Sequence, residues 1–201
     1  MILNHLLGFY THPKEEWQSV DREHQSYFYA LSHIVVIALI PAVMAYFASA
    51  HLGWDIGAGH TAETIKLTQQ SAMAMSVAMY FGLILGVCAL AYLIQELAHA
   101  FEVTRTYTQC LEIAAYTATP LFMTGLSAFY PELWFIMMVG LVGLSYSVYL
   151  LYSGVPIMLH IPEDKGFIFS SSVVTCGLVL LVILMALSVI LWSVGIGPQY
   201  M

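Results

Sequence analysis

Charge is what this chain has least of. Only 8% of its 201 residues are Asp, Glu, Lys or Arg, against about 25% in an average soluble domain. Bases are scarcest, with 5 Lys and Arg against 12 acids and a formal net charge of -7. Nucleic-acid binding calls for clustered Lys and Arg, so that class is excluded. A polybasic grip on anionic lipid is disfavoured for the same reason. Cysteine is nearly as rare. Cys88, Cys110 and Cys176 lie far apart in apolar surroundings, no CxxC occurs, and all three read as small core residues. No GxSxG, HExxH or P-loop pattern is present, which points to a non-enzymatic protein. Ser170-Ser171-Ser172 has no His or Lys beside it and reads as capped helix entry rather than a nucleophile. No repeat of 20–50 residues or low-complexity tract is visible. Residues 1–10 lack the basic start of a cleavable signal.

What fills the chain instead is apolar sequence, 60% of the total. Asp, Glu, Lys and Arg are missing from His24 to Trp54, Leu67 to Gln95, Ile113 to Pro131, Leu133 to Pro162 and Gly166 to Met201. A spanning helix needs about 20 mostly apolar residues, each rising ~1.5 Å through a core ~30 Å thick. Each gap fits one helix. Strands are excluded, because an isolated strand leaves its backbone unsatisfied in lipid. The expected fold is an all-α integral membrane protein with about five transmembrane helices, near 31–52, 72–95, 112–130, 133–158 and 172–196. The third is the least apolar, since it carries Thr117, Thr119, Pro120, Thr124 and Ser127.

Five spans place the termini on opposite sides. One side then holds Lys14, Arg22, Arg105 and Lys165, and the other only Lys66. The positive-inside rule makes the N-terminus cytoplasmic and the C-terminus extracytoplasmic. Residues 1–30 form a cytoplasmic segment, whose first ten suit a short interfacial helix ending before Pro13. Residues 31–201 form the membrane domain. A loop from Gly53 to Ser71 is its main external feature, and Glu163-Asp164-Lys165-Gly166 reads as a turn.

Within the second span, Ala74, Ala78, Gly82 and Gly86 recur every four residues. This small face admits close helix approach, inside the bundle or between copies. Pro41, Pro120 and Pro156 interrupt spans one, three and four. At the cytoplasmic rim, Glu96-x-x-His99 sets a carboxylate and an imidazole on one helical face, with Glu102 three residues further on. Asp21-x-x-His24 repeats the pattern, and Glu112 opens the third span. Acid and imidazole at i, i+3 is the pairing of helical di-metal sites, so zinc, iron or manganese is a candidate cofactor. The alternative is a solvated cluster of ion pairs that includes Arg105. The partners expected are the bilayer and either a second copy or another membrane protein.

Three stretches carry a family likeness: His12-Pro13-Lys14-Glu15-Glu16-Trp17, Ala115-Tyr116-Thr117-Ala118-Thr119-Pro120-Leu121-Phe122, and Tyr149-Leu150-Leu151-Tyr152-Ser153-Gly154-Val155-Pro156. With the five-span plan, the chain resembles the Yip family of membrane proteins, in particular its bacterial inner-membrane branch. The resemblance implies a Yip-type domain with a cytoplasmic N-terminus. It supplies no reaction, and the Rab GTPase role of eukaryotic members is not implied for a chain without their long N-terminal region. His12, Pro13, Trp17, Tyr116, Pro120, Tyr149, Tyr152, Gly154 and Pro156 are then the family positions, with structural roles expected first. The leading functional reading is a protein that organises or shapes the membrane, or scaffolds partners. A transporter, channel or divalent-metal protein using the Asp/Glu-His rim is the alternative.

Overall fold

The computed structural model describes residues 4–23, 26–56 and 63–201. Two short helices come first, α1 (Asn4–Thr11) and α2 (Pro13–Glu23). Helix α3 (Tyr27–Phe47) continues through a π turn to Leu52. A two-stranded antiparallel hairpin, β1 (Trp54–Ile56) and β2 (Glu63–Ile65), leads into α4 (Gln69–Ala100). Helix α5 (Tyr107–Met123) runs on as a 3-10 segment to Phe129, and α6 (Leu133–Leu159) and α7 (Glu163–Ser193) complete the bundle. Four of these segments are long and apolar enough to cross a membrane: Tyr27–Leu52, α4, α6 and α7.

The helices outrun the uncharged gaps, because charged residues ride on their ends outside the apolar core. Helix α7 begins at Glu163, nine residues before the expected start at 172. The Glu163–Gly166 stretch is therefore the first helical turn, where Glu163 and Asp164 complement the helix dipole. Ser171 and Ser172 lie inside α7 and donate to the carbonyls of Phe167 (2.8 Å) and Ile168 (3.0 Å), so they do not cap it. Helix α4 starts on a true cap, with the Thr68 side chain accepting from the Ser71 amide. Helix α5 opens on a capping box. Thr106 Oγ1 accepts from the Gln109 amide, and Gln109 Oε1 accepts from the Thr106 amide.

Helix α5 is the axis of the molecule. Cys110 through Thr117 are all buried, and α3, α4 and α6 surround it. Its hydroxyls are silenced locally: Thr117 donates to Ile113 O (2.7 Å), Thr119 to Ala115 O (2.8 Å) and Thr124 to Leu121 O (2.6 Å). The most apolar helix, α7, is conversely the most exposed, with Leu178, Val179, Val182 and Met185 all on the outside.

The chain ends lie at opposite ends of the bundle. Helices α1 and α2 sit where α6 finishes. At the other end the C-terminal residues pair with the entry to α4, through Thr68 N–H to Gln199 O (2.8 Å) and Met201 N–H to Lys66 O (3.1 Å). Ser71 Oγ donates to Gly197 O (2.6 Å) there.

The small face of α4 divides. A Cβ on Gly86 would meet Leu184 of α7 at 3.0 Å, whereas a Cβ on Gly82 would meet nothing within 4 Å. The contact between α3 and the 3-10 extension of α5 depends on glycine more strictly. A Cβ on Gly125 would come within 2.6 Å of the Pro41 Cα, and backbone there cannot swing aside as a flexible side chain can. Gly125→Ala is thus expected to destabilise the bundle by about 1–3 kcal/mol. Gly82→Ala should leave it unchanged or slightly firmer, by up to about 1 kcal/mol. Unfolding in mixed micelles of mild and denaturing detergent measures both. Equal midpoints for the two variants would contradict the packing described.

Candidate functional site

The polar and aromatic groups of the chain converge where α2 lies along the second half of α6. Helix α2 is amphipathic because Trp17 and Val20, three apart, share one face; both are fully buried, while Lys14, Glu15 and Gln18 point outward. Trp17 needs a notch to enter, and Gly154 supplies it. A Cβ on Gly154 would lie 2.7 Å from Trp17 Cδ2 and Cζ2. Phe9 of α1 meets the Trp17 indole edge-on, with centroids 4.8 Å apart, and Tyr116 of α5 at 4.9 Å. Tyr116 in turn neighbours the His33 ring of α3 at 5.0 Å. His33 Nε2 donates to Thr119 Oγ1 (2.9 Å), whose own hydrogen goes to Ala115 O. Glu112, Tyr116 and Thr119 fall on one face of α5, at spacings of four and three, and all three are buried.

Outside this aromatic plug runs a charged relay. His160 closes α6 in a left-handed conformation (φ 53°). Its Nε2 contacts Asp21 Oδ2 of α2 at 2.8 Å and its Nδ1 contacts the Arg105 guanidinium at 2.6 Å. A guanidinium only donates, so Nδ1 is the acceptor and Nε2 carries the hydrogen given to Asp21. The relay ties the N-terminal helices to the α4–α5 connection and to the α6–α7 corner. Asp21 Oδ1 and Arg105 Nε are buried without a hydrogen-bond partner.

Helix α1 completes the dock. Tyr146 of α6 donates to Phe9 O (2.7 Å), and its ring stacks on Tyr10 at 5.3 Å and 7°. Burial first, and then the neighbouring Tyr146, pushes the Tyr10 phenol above its ordinary value, so it remains an uncharged donor.

Family positions thus meet in space. Trp17 fits Gly154 beside Tyr116. Pro13 opens α2, and His12 O accepts its first helical bond from the Glu16 amide. Pro156 rests against Gly166, where an added Cβ would approach its Cγ to 2.6 Å. Tyr149 and Tyr152 part company. Tyr152 hydroxyl meets Ser171 Oγ of α7 (2.7 Å), while Tyr149 borders an apolar groove beside Pro120.

The rim residues distribute differently. Glu96 pairs with the Tyr92 phenol one turn earlier on α4. Glu96 and His99 are exposed. Helix α4 stops at Ala100, and Glu102 takes a left-handed conformation (φ 58°) that leaves their helical face. Glu112 is buried inside the bundle, and Asp21 pairs with His160. His24 lies outside the described residues. Among the described residues, no group of three or more His, Cys, Asp or Glu is placed to hold a metal ion. His33 and His160 are the residues that charge spacing passes over. A search for histidine as well as full charges would have flagged His33 inside a span.

A helical bundle of this length and apolarity, with its N-terminal helices docked against the spans, is a polytopic membrane protein. The Yip1 domain model matches residues 7–184, and the chain belongs to that family. It is 35% identical, over 194 residues, to the inner membrane protein YohC of Escherichia coli, covering 96% of this chain and 98% of that one; the match holds for two strains. The chain is a multi-pass inner-membrane protein. No solved structure matches it.

The plug and the relay differ in strength. Trp17→Ala removes a wholly buried indole and should cost about 3–5 kcal/mol. Gly154→Ala should cost about 1–3 kcal/mol. His160→Ala removes hydrogen bonds made by an imidazole that is 59% exposed, and each such bond is worth about 0.5–1.5 kcal/mol. Hydrogen exchange over residues 13–23 reads the order directly: protection should fall most in Trp17→Ala and least in His160→Ala, with α4 unaffected. A larger loss in His160→Ala would make the relay, not the plug, the holding element.

Proposed function

We propose that this protein is a non-enzymatic organiser of the inner membrane, its N-terminus cytoplasmic, acting through the shape it presents to lipid or to a partner in the bilayer. The carrying observation is the docking of α1 and α2 at one end of the bundle. Phe9, Trp17 and Val20 join the same buried core as the spans. Two extra helices therefore widen one end, while the other carries a short hairpin and the C-terminal residues. A protein broader at one leaflet than the other favours curved lipid packing, as amphipathic helices seated at an interface do. The orientation rests on Lys14, Arg22, Arg105 and Lys165 sharing the α1–α2 end, with Lys66 at the other. The open faces of α6 and α7, and Gly82 on α4, supply lateral contact area for lipid or for a second copy.

A second reading, transport or divalent-metal handling, draws on His33 and Glu112, since ionisable groups inside a span usually mark ion paths. Reconstitution separates the two. In liposomes of fixed lipid composition, rising protein density should shift the vesicle diameters seen by electron cryomicroscopy, and divalent-cation flux should equal that of empty vesicles. Trp17→Ala should weaken the diameter shift. A size distribution independent of protein density would remove the shaping reading. Cation flux abolished by Glu112→Gln, or about one metal per purified chain lost in Glu96→Ala/His99→Ala, would establish the second.

A further inference from the structure

Among the described residues, two wholly buried side chains are of types that carry charge near neutral pH: His33 on α3, 1% exposed, and Glu112 on α5, 2% exposed. Tyr116 links them. It follows Glu112 by one turn on the same face of α5, and its ring centroid lies 5.0 Å from that of His33. Phe9 and Trp17 pack on Tyr116 in turn, with centroids at 4.9 and 6.1 Å. The aromatic plug is thus the cover of an ionisable centre.

Charge inside a bundle that lipid surrounds has to balance locally. His33 Nε2–H is committed to Thr119 Oγ1 (2.9 Å). One further proton on this centre has two homes, a Glu112 oxygen or His33 Nδ1, and either leaves it neutral. A second such proton leaves one positive charge, and none leaves one negative charge. In water a carboxyl and an imidazole titrate separately, at about 4.3 and 6.5. Above about pH 6.5 the hydrated pair holds no such proton, whereas the covered pair holds one. Docking of α1 and α2 therefore takes a proton from solvent, and undocking returns it. The cover is poised to respond. Trp17 Nε1 is buried without a hydrogen-bond partner, and an unpaired buried donor offsets part of what burial of the indole contributes.

We propose that His33 and Glu112 form a proton-binding site inside the bundle, and that one proton bound there holds α1 and α2 docked. The site needs no ion to cross the bilayer, and it does not depend on the protein shaping membranes. The other titratable groups on the surrounding helices are phenols and thiols: Tyr10 on α1, Tyr80 and Cys88 on α4, Cys110 and Tyr116 on α5, and Tyr146 on α6. Such groups ordinarily lose their protons only above about pH 8. Asp21 of α2 faces His160 and Arg105 at the rim, and His12 is exposed just before α2. A His12→Gln/His160→Gln variant separates those imidazoles from the core.

Hydrogen exchange of the full chain in lipid nanodiscs, from about pH 5.5 to 8.5 and corrected for the intrinsic rate at each pH, gives the opening constant of residues 13–23. In wild type it should change little below about pH 6.5 and rise about tenfold per pH unit above it, as release of one proton on opening requires. Glu112→Gln should be flat above about pH 6.5 and rise as the pH falls below it, because His33 then gains a proton only when the core opens. His33→Gln should rise about tenfold per unit across the whole range, since Glu112 alone gives up its proton on opening. His12→Gln/His160→Gln should keep the wild-type slope. Should one core variant lose its helix content by circular dichroism, the other decides alone. A wild-type constant flat above about pH 6.5, a rising slope that survives in Glu112→Gln, or a slope lost in His12→Gln/His160→Gln would each overturn the proposal.

Discussion

Backbone polar groups inside a bilayer must find their partners within the protein, and polar side chains there are best kept from lipid; the arrangement of this bundle follows from that requirement. Helix α5 carries the most polar of the membrane segments and occupies the centre. Thr117, Thr119 and Thr124 bend back to their own helix backbone, and the neighbouring helices keep lipid away from them. The order of burial is therefore the reverse of a soluble protein. The most apolar helix, α7, lies outside against hydrocarbon, and the helix with hydroxyls, a carboxyl and a proline lies inside.

The same requirement explains why α1 and α2 belong to the bundle. An amphipathic pair with Phe9, Trp17 and Val20 on one face could lie on lipid alone. Here it instead covers the middle of α5 and the His33–Thr119 hydrogen bond, through Tyr116. The notch at Gly154 makes that cover tight. Its position two residues before Pro156, where Pro156 rests on Gly166, puts the close contacts of α6 with α2 and with α7 within one helical turn.

Much of this was legible from the chain. The missing charges located the apolar segments, because charge cannot sit in hydrocarbon without a partner. They did not locate helix ends, since Glu163, Asp164 and Lys165 ride on the first turn of α7 and Glu96 on the last turns of α4, beyond the hydrocarbon. Nor could spacing show which segment lies inside. The polarity that made residues 112–130 look like the weakest span is the mark of its central place. At the site, Trp17, Tyr116 and Gly154 were picked out by family likeness, and their meeting in one plug required the fold. Glu96, His99 and Asp21 shared a pattern but not a location: Asp21 found His160, 139 residues away in sequence. Pairings across such separations leave no local periodicity to read.

The central place of α5 also bears on how the chain is made. The helix least suited to lipid leaves the ribosome after α3 and α4 but before α6. Two of its three helical neighbours are then already in place to receive it, and Tyr130, Pro131 and Glu132 alone separate its 3-10 extension from the third. Biosynthetic order and burial order thus agree: the segment that cannot face hydrocarbon by itself is delivered between partners, and the self-sufficient α7 comes last.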